Sequence, residues 1–176
     1  MSTALSAKTS SPEAPEIDVM TAGDWDRVKE IYLEGIATGN ATFATDAPTW
    51  EQWDASHRRD CRLVARNGGE VVGWAALSPV SSRCVYEGVA EVSVYVGADA
   101  RGRGVGRLLL AALVETSERA GVWTLQAGIF PENVASIELH KKVGFRLVGL
   151  REKLGCMNGQ WRDVALMERR SAVVGR

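Results

Sequence analysis

The apolar positions of this chain change period several times, and each change predicts an element. Trp25, Val28, Ile31, Tyr32 and Ile36 recur at helical spacing, with Thr21 placed as N-cap and Gly39-Asn40 as the stop. A short strand over Ile17–Met20 precedes that helix. Thr42–Ala47 reads as a loop, and Thr49 caps a second helix over Trp50–Arg59. Cys61–Arg66 and Val71–Leu77 alternate, and Asn67-Gly68-Gly69 between them predicts a hairpin turn. A loop at Ser78–Ser82 leads into a long strand over Val85–Val96, with Val92, Val94 and Val96 on one face. Gly97–Gly104 is a Gly- and Arg-rich turn, and Leu108–Ala120 is helical, capped by Gly121. A strand over Trp123–Phe130, a helix over Asn133–Val143 and a strand over Phe145–Leu154 follow. The turn Asn158-Gly159 and a strand over Trp161–Glu168 complete the pattern.

The order β-α-α-β-β-β-α-β-α-β-β fits an α/β (α+β) fold, a single mixed sheet flanked by helices. A chain of 176 residues is of a size for one core. Residues 1–16 are rich in Ser, Ala, Thr and Pro and have little apolar surface to bury, so a flexible tail is expected there. The domain is expected over residues 17–169, with a C-terminal tail over 170–176.

Composition adds exclusions. The net charge of −1 provides no general field toward nucleic acid or an anionic membrane, and neither is expected as a partner. No apolar run approaches the roughly 20 residues that span a bilayer. Cys61, Cys84 and Cys156 are odd in number and widely spaced, and form no metal-ligand pattern with His57 and His140. Reduced thiols, no metal and a cytoplasmic location are expected. His57 reads as a surface residue of the second helix.

The chemistry signal is Arg101-Gly102-Arg103-Gly104-Val105-Gly106, with Arg107 next, between a strand and a helix. The first turn of a helix leaves N–H groups without partners at the positive end of its dipole. Glycines let the backbone close on a phosphate, and three arginines add charge, so the segment suits a pyrophosphate. A structural tight turn would use the same glycines. The P-loop spacing to Gly-Lys-Ser/Thr is absent, and Arg107 stands where a dinucleotide fingerprint needs its third Gly.

Arg101, Gly104 and Gly106, preceded by Val94-Tyr95-Val96, resemble the acetyl-CoA loop of the GNAT acetyltransferases. The segment Asn133-Val134-Ala135-Ser136-Ile137-Glu138-Leu139-His140-Lys141-Lys142-Val143-Gly144-Phe145 resembles the family's second motif. The resemblance covers about Ile17 to Glu168. It implies a mostly antiparallel sheet whose central strand pair splays around the pantetheine arm, and acetyl-CoA as co-substrate. It also implies that Val94 and Val96 offer backbone groups, that Tyr95 adjoins them, and that residues 102–107 hold the pyrophosphate. Asn133 and Ser136 would contact the cofactor from the following helix, and Asn133 can also serve as its N-cap.

Within the family the chain resembles the phosphinothricin/methionine sulfone acetyltransferases through Thr42-Phe43, Ser78-Pro79, Arg83, Tyr86, Glu91–Val96, Leu139-His140 and the spaced set Gly159, Trp161, Asp163 and Val164. Met157 stands where that subgroup leads one to expect a Lys. The implied acceptor is the primary amine of a small amino-acid analogue. Ser81, Ser82, Arg83, Tyr86, Glu91, Val92, Ser93 and Trp161 are its expected contacts, with Trp74 as a further apolar wall. A protein or peptide acceptor and a non-catalytic acyl-CoA-binding module are the alternatives. A homodimer is also implied.

Direct acetyl transfer needs a base for the amine, donors for the oxyanion and a proton source for the departing thiolate. Strand alternation puts Glu91 and Ser93 on one face and Val92 and Val94 on the other, and Glu91 is the candidate base. His140 lies where many relatives carry a Tyr facing the sulfur, and an imidazole there could protonate the thiolate or shuttle the amine proton. The Val94 N–H is the candidate oxyanion donor. Arg83 is the candidate grip for an acidic group on the acceptor, because its planar fork suits anions.

Overall fold

The computed structural model describes residues 14–175, and the expected N-terminal tail falls largely outside them. Seven strands form one mixed sheet in the order β1-β2-β3-β4-β5-β7-β6. In chain order these are β1 (Glu16–Val19), α1 (Trp25–Ala37), α2 (Trp50–Ser56), β2 (Arg62–Asn67), β3 (Glu70–Pro79) and β4 (Val89–Val96). They continue with α3 (Val105–Arg119), β5 (Thr124–Ile129), α4 (Val134–Lys142), β6 (Arg146–Met157) and β7 (Gln160–Arg170). The element order is the one that periodicity predicts. All neighbouring pairs are antiparallel except β4 with β5, which is parallel.

Two apolar layers hold the sheet. On one face α1 and α2 bury Trp25, Val28, Ile31, Trp53, Val64 and Trp74. On the other, α3 buries Leu109, Leu110 and Leu113 against Leu63, Ala75, Leu77, Leu125 and Met167. The amphipathic spacing of α1 and α3 thus places one helix on each side. Among the described residues, no helix is long and apolar enough to cross a membrane.

Several boundaries differ from the expected ones for identifiable reasons. Strand β3 runs through Ser78 and Pro79, which were expected in a loop. Val80 N–H donates to the Val89 carbonyl at 3.4 Å, so the Pro79–Ala90 pair between such bonds needs no donor from the proline. Strand β4 begins at Val89 and not Val85, because Cys84–Tyr86 turn into a 3-10 helix. Helix α3 begins at Val105, three residues early, because Gly104 supplies a left-handed N-cap at φ 83°. Strand β6 reaches Met157 through an irregularity between Arg151 and Gly155, where Lys153 takes φ 48°.

Helix α2 stops at Ser56 instead of Arg59. The buried Arg62 guanidinium sits beyond its end and donates to the carbonyls of Asp54 and His57 at 2.7 Å each, to that of Arg58 at 3.0 Å and to the Asp54 carboxylate at 2.5 Å. These are the carbonyls a helix end leaves unpaired. His57, expected on the surface, is half-buried with its ring stacked on Trp53 at 4.1 Å. Arg62→Leu therefore leaves three carbonyls without their donor and Asp54 with Arg59 alone. It should lower unfolding free energy by about 3 kcal/mol, read as a lower urea midpoint at unchanged slope. A midpoint within error of the parent would count against this role.

The residues expected as a C-terminal tail are partly packed. Strand β7 continues through Arg170, and Ser171 is buried, donating from its N–H to the Trp123 carbonyl and from its hydroxyl to Glu118.

Candidate active site

The site follows from where β4 and β5 part. They pair only over Val89–Glu91 and Thr124–Gln126, although β4 runs on to Val96 and β5 to Ile129. On its other edge β4 stays paired with β3 as far as Val96. The bonds from Val80 N–H to Val89 and from Gly97 N–H to Val72 show that odd-numbered residues turn their backbone to β3. Val92, Val94 and Val96 therefore turn theirs into the gap; the resemblance implied this orientation for Val94 and Val96. The Val96 carbonyl is partly taken, since Arg101 Nε donates to it at 3.0 Å.

The gap opens into a cleft of about 1250 Å³. One end is the N-terminus of α3. Gly104 makes no side-chain cap, so nothing on the cap residue competes for the first-turn N–H groups. Gly102 also takes positive φ, 73°. Arg101, Gly102, Gly104, Val105, Gly106 and Arg107 line this end, whereas Arg103 is exposed outside it. A Cβ on Gly106 would lie 3.2 Å from Leu139, so its absence lets α4 approach α3. Asn133 caps α4 by accepting from Ser136 N–H at 3.2 Å, and both line the cleft.

His140 is buried at the cleft wall, 2% exposed. Its Nδ1 lies 2.8 Å from the Ser136 carbonyl, which can only accept, so Nδ1 carries the proton. Nε2 is then an acceptor, and among the described residues it is buried without a partner. Burial lowers the imidazole's pKa from its ordinary value, against a smaller opposing effect of the Ser136 bond. The same cause, burial, lowers His57. Both rings are thus neutral when folded and take up protons more readily when unfolded. Stability should be full above pH about 6.5 and be lost as pH falls below it. Melting temperatures from pH 7.5 down to 5 would show this, and His140→Gln should flatten the acid-side slope. An unaltered slope in that variant would contradict the buried neutral imidazole.

Glu91 is the last residue of β4 paired with β5, and its Oε2 accepts from Gln126 Nε2 at 2.8 Å. It is exposed at the point where the strands part, and Val92 and Ser93 line the cleft beside it. Tyr95 lines the cleft but chiefly packs, stacked on Trp74 at 4.8 Å and edge-on to Tyr32 at 4.9 Å. Burial pushes its phenol pKa up.

Other expected acceptor contacts lie elsewhere. Ser81, Ser82, Arg83 and Tyr86 sit on the β3–β4 connection outside the cleft, where Arg83 lies over the Tyr86 ring. Trp161 is 64% exposed and away from the cleft. Trp74 is buried in the α1 layer. The reason is topological: the turn after Pro79 leaves the sheet before β4 reaches the gap.

In their place the cleft is walled by residues that local pattern did not single out as contacts. Phe43 packs edge-on to Phe130 at 4.8 Å, and a Cβ on Gly155 would lie 2.6 Å from its ring. Arg162, beneath Phe130 at 3.9 Å, donates to the Gly39 carbonyl, Asn40 Oδ1 and Glu132. This fastens the segment after α1 across the cleft. Phe43 carried a signal in its Thr-Phe pair; Gln126, Arg151 and Arg162 carried none without the sheet register.

The splayed backbone, the uncapped glycine turn and the orphaned His140 Nε2 together fit a long ligand with a pyrophosphate at one end and hydrogen-bonding amides along its arm, as acetyl-CoA has. Among the described residues, no group of three His, Cys, Asp or Glu is placed to hold a metal.

Comparison with known proteins agrees with this geometry. The Acetyltransferase (GNAT) family pattern matches residues 25–145. The L-methionine sulfoximine/L-methionine sulfone acetyltransferase of Pseudomonas paraeruginosa is 34% identical over 140 residues, 75% of this chain and 81% of the relative. The crystal structure of a phosphinothricin acetyltransferase from Sinorhizobium meliloti in complex with acetyl-CoA superposes at a TM-score of 0.80. It is 30% identical, over 90% of this chain and 89% of that one. That of a ribosomal-protein-alanine N-acetyltransferase from Brucella melitensis superposes at 0.82. It is 34% identical, over 89% and 99%. The chain belongs to the GNAT acetyltransferase family, as an acetyl-CoA-dependent N-acetyltransferase.

Proposed function

We propose that this enzyme moves the acetyl group of acetyl-CoA to the primary amine of a small amino-acid-like acceptor, of the phosphinothricin or methionine sulfone type. The observation that carries the reading is the position of Glu91. It stands at the fork of β4 and β5, with one carboxylate oxygen fixed by Gln126. When bound, acetyl-CoA supplies a thioester carbonyl open to attack by a neutral amine.

Glu91 takes the ammonium proton, directly or through a water, because it is a carboxylate beside the gap that the acceptor must reach. The Val94 N–H, turned into the same gap, is the donor for charge developing on the carbonyl oxygen. His140 acts second. Its Nε2 is an acceptor in the neutral ring, so it takes the proton that the attacking nitrogen sheds once the C–N bond has formed, and returns it to the CoA sulfur as the C–S bond breaks. The phosphate contacts fall to the 102–107 turn, with Arg101 and Arg107 flanking it.

A protein N-terminus is the second reading, favoured by the likeness to the ribosomal-protein-alanine N-acetyltransferase. The Phe43 strap fastened by Arg162 argues for a small acceptor, since it narrows the cleft that an extended peptide would cross. A cytoplasmic homodimer completes the proposal. It is supported by free Cys61, Cys84 and Cys156 and by exposed Leu147, Val148, Leu150 and Trp161 on the β6–β7 end.

Thiol trapping of released CoA tests the acceptor class. Saturable release with methionine sulfone or phosphinothricin, and none with an alanine-ended peptide, is expected. Release with the peptide alone would transfer the assignment to protein acetylation, and tight acetyl-CoA binding with no release from any amine would favour a sensing module.

A further inference from the structure

The sequence assigns the acceptor's acidic group to Arg83, and the fold takes Arg83 out of the cleft. Four cations line the cleft: Arg101, Arg107, Lys142 and Arg151. Arg101 and Arg107 flank the N-terminus of α3, the pyrophosphate end. Lys142 belongs to α4, which packs on α3. Arg162, close by, is engaged by Gly39, Asn40 and Glu132.

Arg151 is different. Strand register puts it on the same sheet face as Glu91: Glu91 pairs with Gln126, Gln126 with Glu168, and two steps of two along β7 lead through Leu166 to Val164, which pairs with Arg151. Its guanidinium makes no hydrogen bond or ion pair with any described residue. It stands at the start of the β6 irregularity that ends at Gly155, the residue against which Phe43 packs. Met157, where a Lys was expected, does not line the cleft.

We propose that the acceptor carries an acidic group, a carboxylate or an oxyacid of phosphorus, and that Arg151 holds it while the amine lies toward Glu91. The inference rests on the acetyl-transfer reading above and deepens it. A planar guanidinium donates to two oxygens of such a group at once, and it does so only where no protein carboxylate already occupies it. Arg151 is a specificity residue with no part in the proton transfers.

The test is Arg151→Met, with Arg151→Lys as the conservative partner, read in two ways. Binding of methionine sulfone to the enzyme saturated with CoA, by calorimetry, needs no turnover. It should weaken about 10-fold or more in the Met variant and recover in part with Lys. In steady state, KM for methionine sulfone should rise by a similar factor while KM for acetyl-CoA stays put, and the amine lacking the carboxylate should react equally with parent and variant. Equal binding of methionine sulfone by parent and Met variant overturns the proposal. So does a KM change shared by the carboxylate-free amine. If the parent releases CoA with these amines and only the Arg151 contrast is missing, acetyl transfer stands and this inference falls. If it binds them with an Arg151 contrast but releases no CoA, the reverse holds.

Discussion

Glu91→Gln should lower kcat by about 10²- to 10⁴-fold while leaving acetyl-CoA affinity almost unchanged. The asymmetry follows from where Glu91 sits. It closes the short parallel pairing of β4 with β5, ahead of the Val94–Val96 backbone and the α3 turn to which the proposal gives the cofactor. Gln is the informative substitution because it keeps size and can still pair with Gln126 after an amide flip. Lost rate then reports lost proton acceptance and not a collapsed strand end. The rising acid limb of the pH–rate profile should vanish with the base. A variant with that limb intact, or one whose acetyl-CoA affinity falls in step with its rate, would contradict the role.

Gly104→Val should weaken acetyl-CoA binding by at least about 10-fold in a variant that still folds. At φ 83° a β-branched residue is strained by about 1–3 kcal/mol. Among the described residues, no heavy atom beyond its immediate chain neighbours lies within 4 Å of the position a Cβ would take, so the fold has room for the new side chain. That side chain would stand at the helix start, where the phosphates must approach the N–H groups. Binding measured by calorimetry, beside a melting curve, separates the two effects. Parental affinity in a folded variant would remove the turn from the cofactor site.

How far the sequence reached depends on the range of the interaction. Elements set by local period and local caps were legible: the Trp25–Ile36 repeat, the Gly68-Gly69 turn and the Thr49 cap all lie where they were expected. The glycine-turn end of the cleft was legible too, because a strand, a glycine turn and a helix start are contiguous in the chain. The other end of the cleft was not. It is assembled from β4, β5, β6, β7 and the segment after α1, and only sheet order decides which of their side chains share a face. Arg83 has the right chemistry for an acid but sits on a turn that leaves the sheet early; Arg151 has it on a strand that returns beside the cleft. Arg62 shows the same limit in the core, since its long-range capping of α2 has no local pattern.

The central claim is that the fork at Glu91 acetylates a small amino-acid amine from acetyl-CoA. Mass-spectrometric identification of the product from methionine sulfone and acetyl-CoA tests it most directly, with parent and Glu91→Gln run in parallel. The account predicts acetyl on the α-nitrogen, formed saturably by the parent and nearly absent with the variant. No acetylated amino acid with the parent, or equal formation by both proteins, would contradict it.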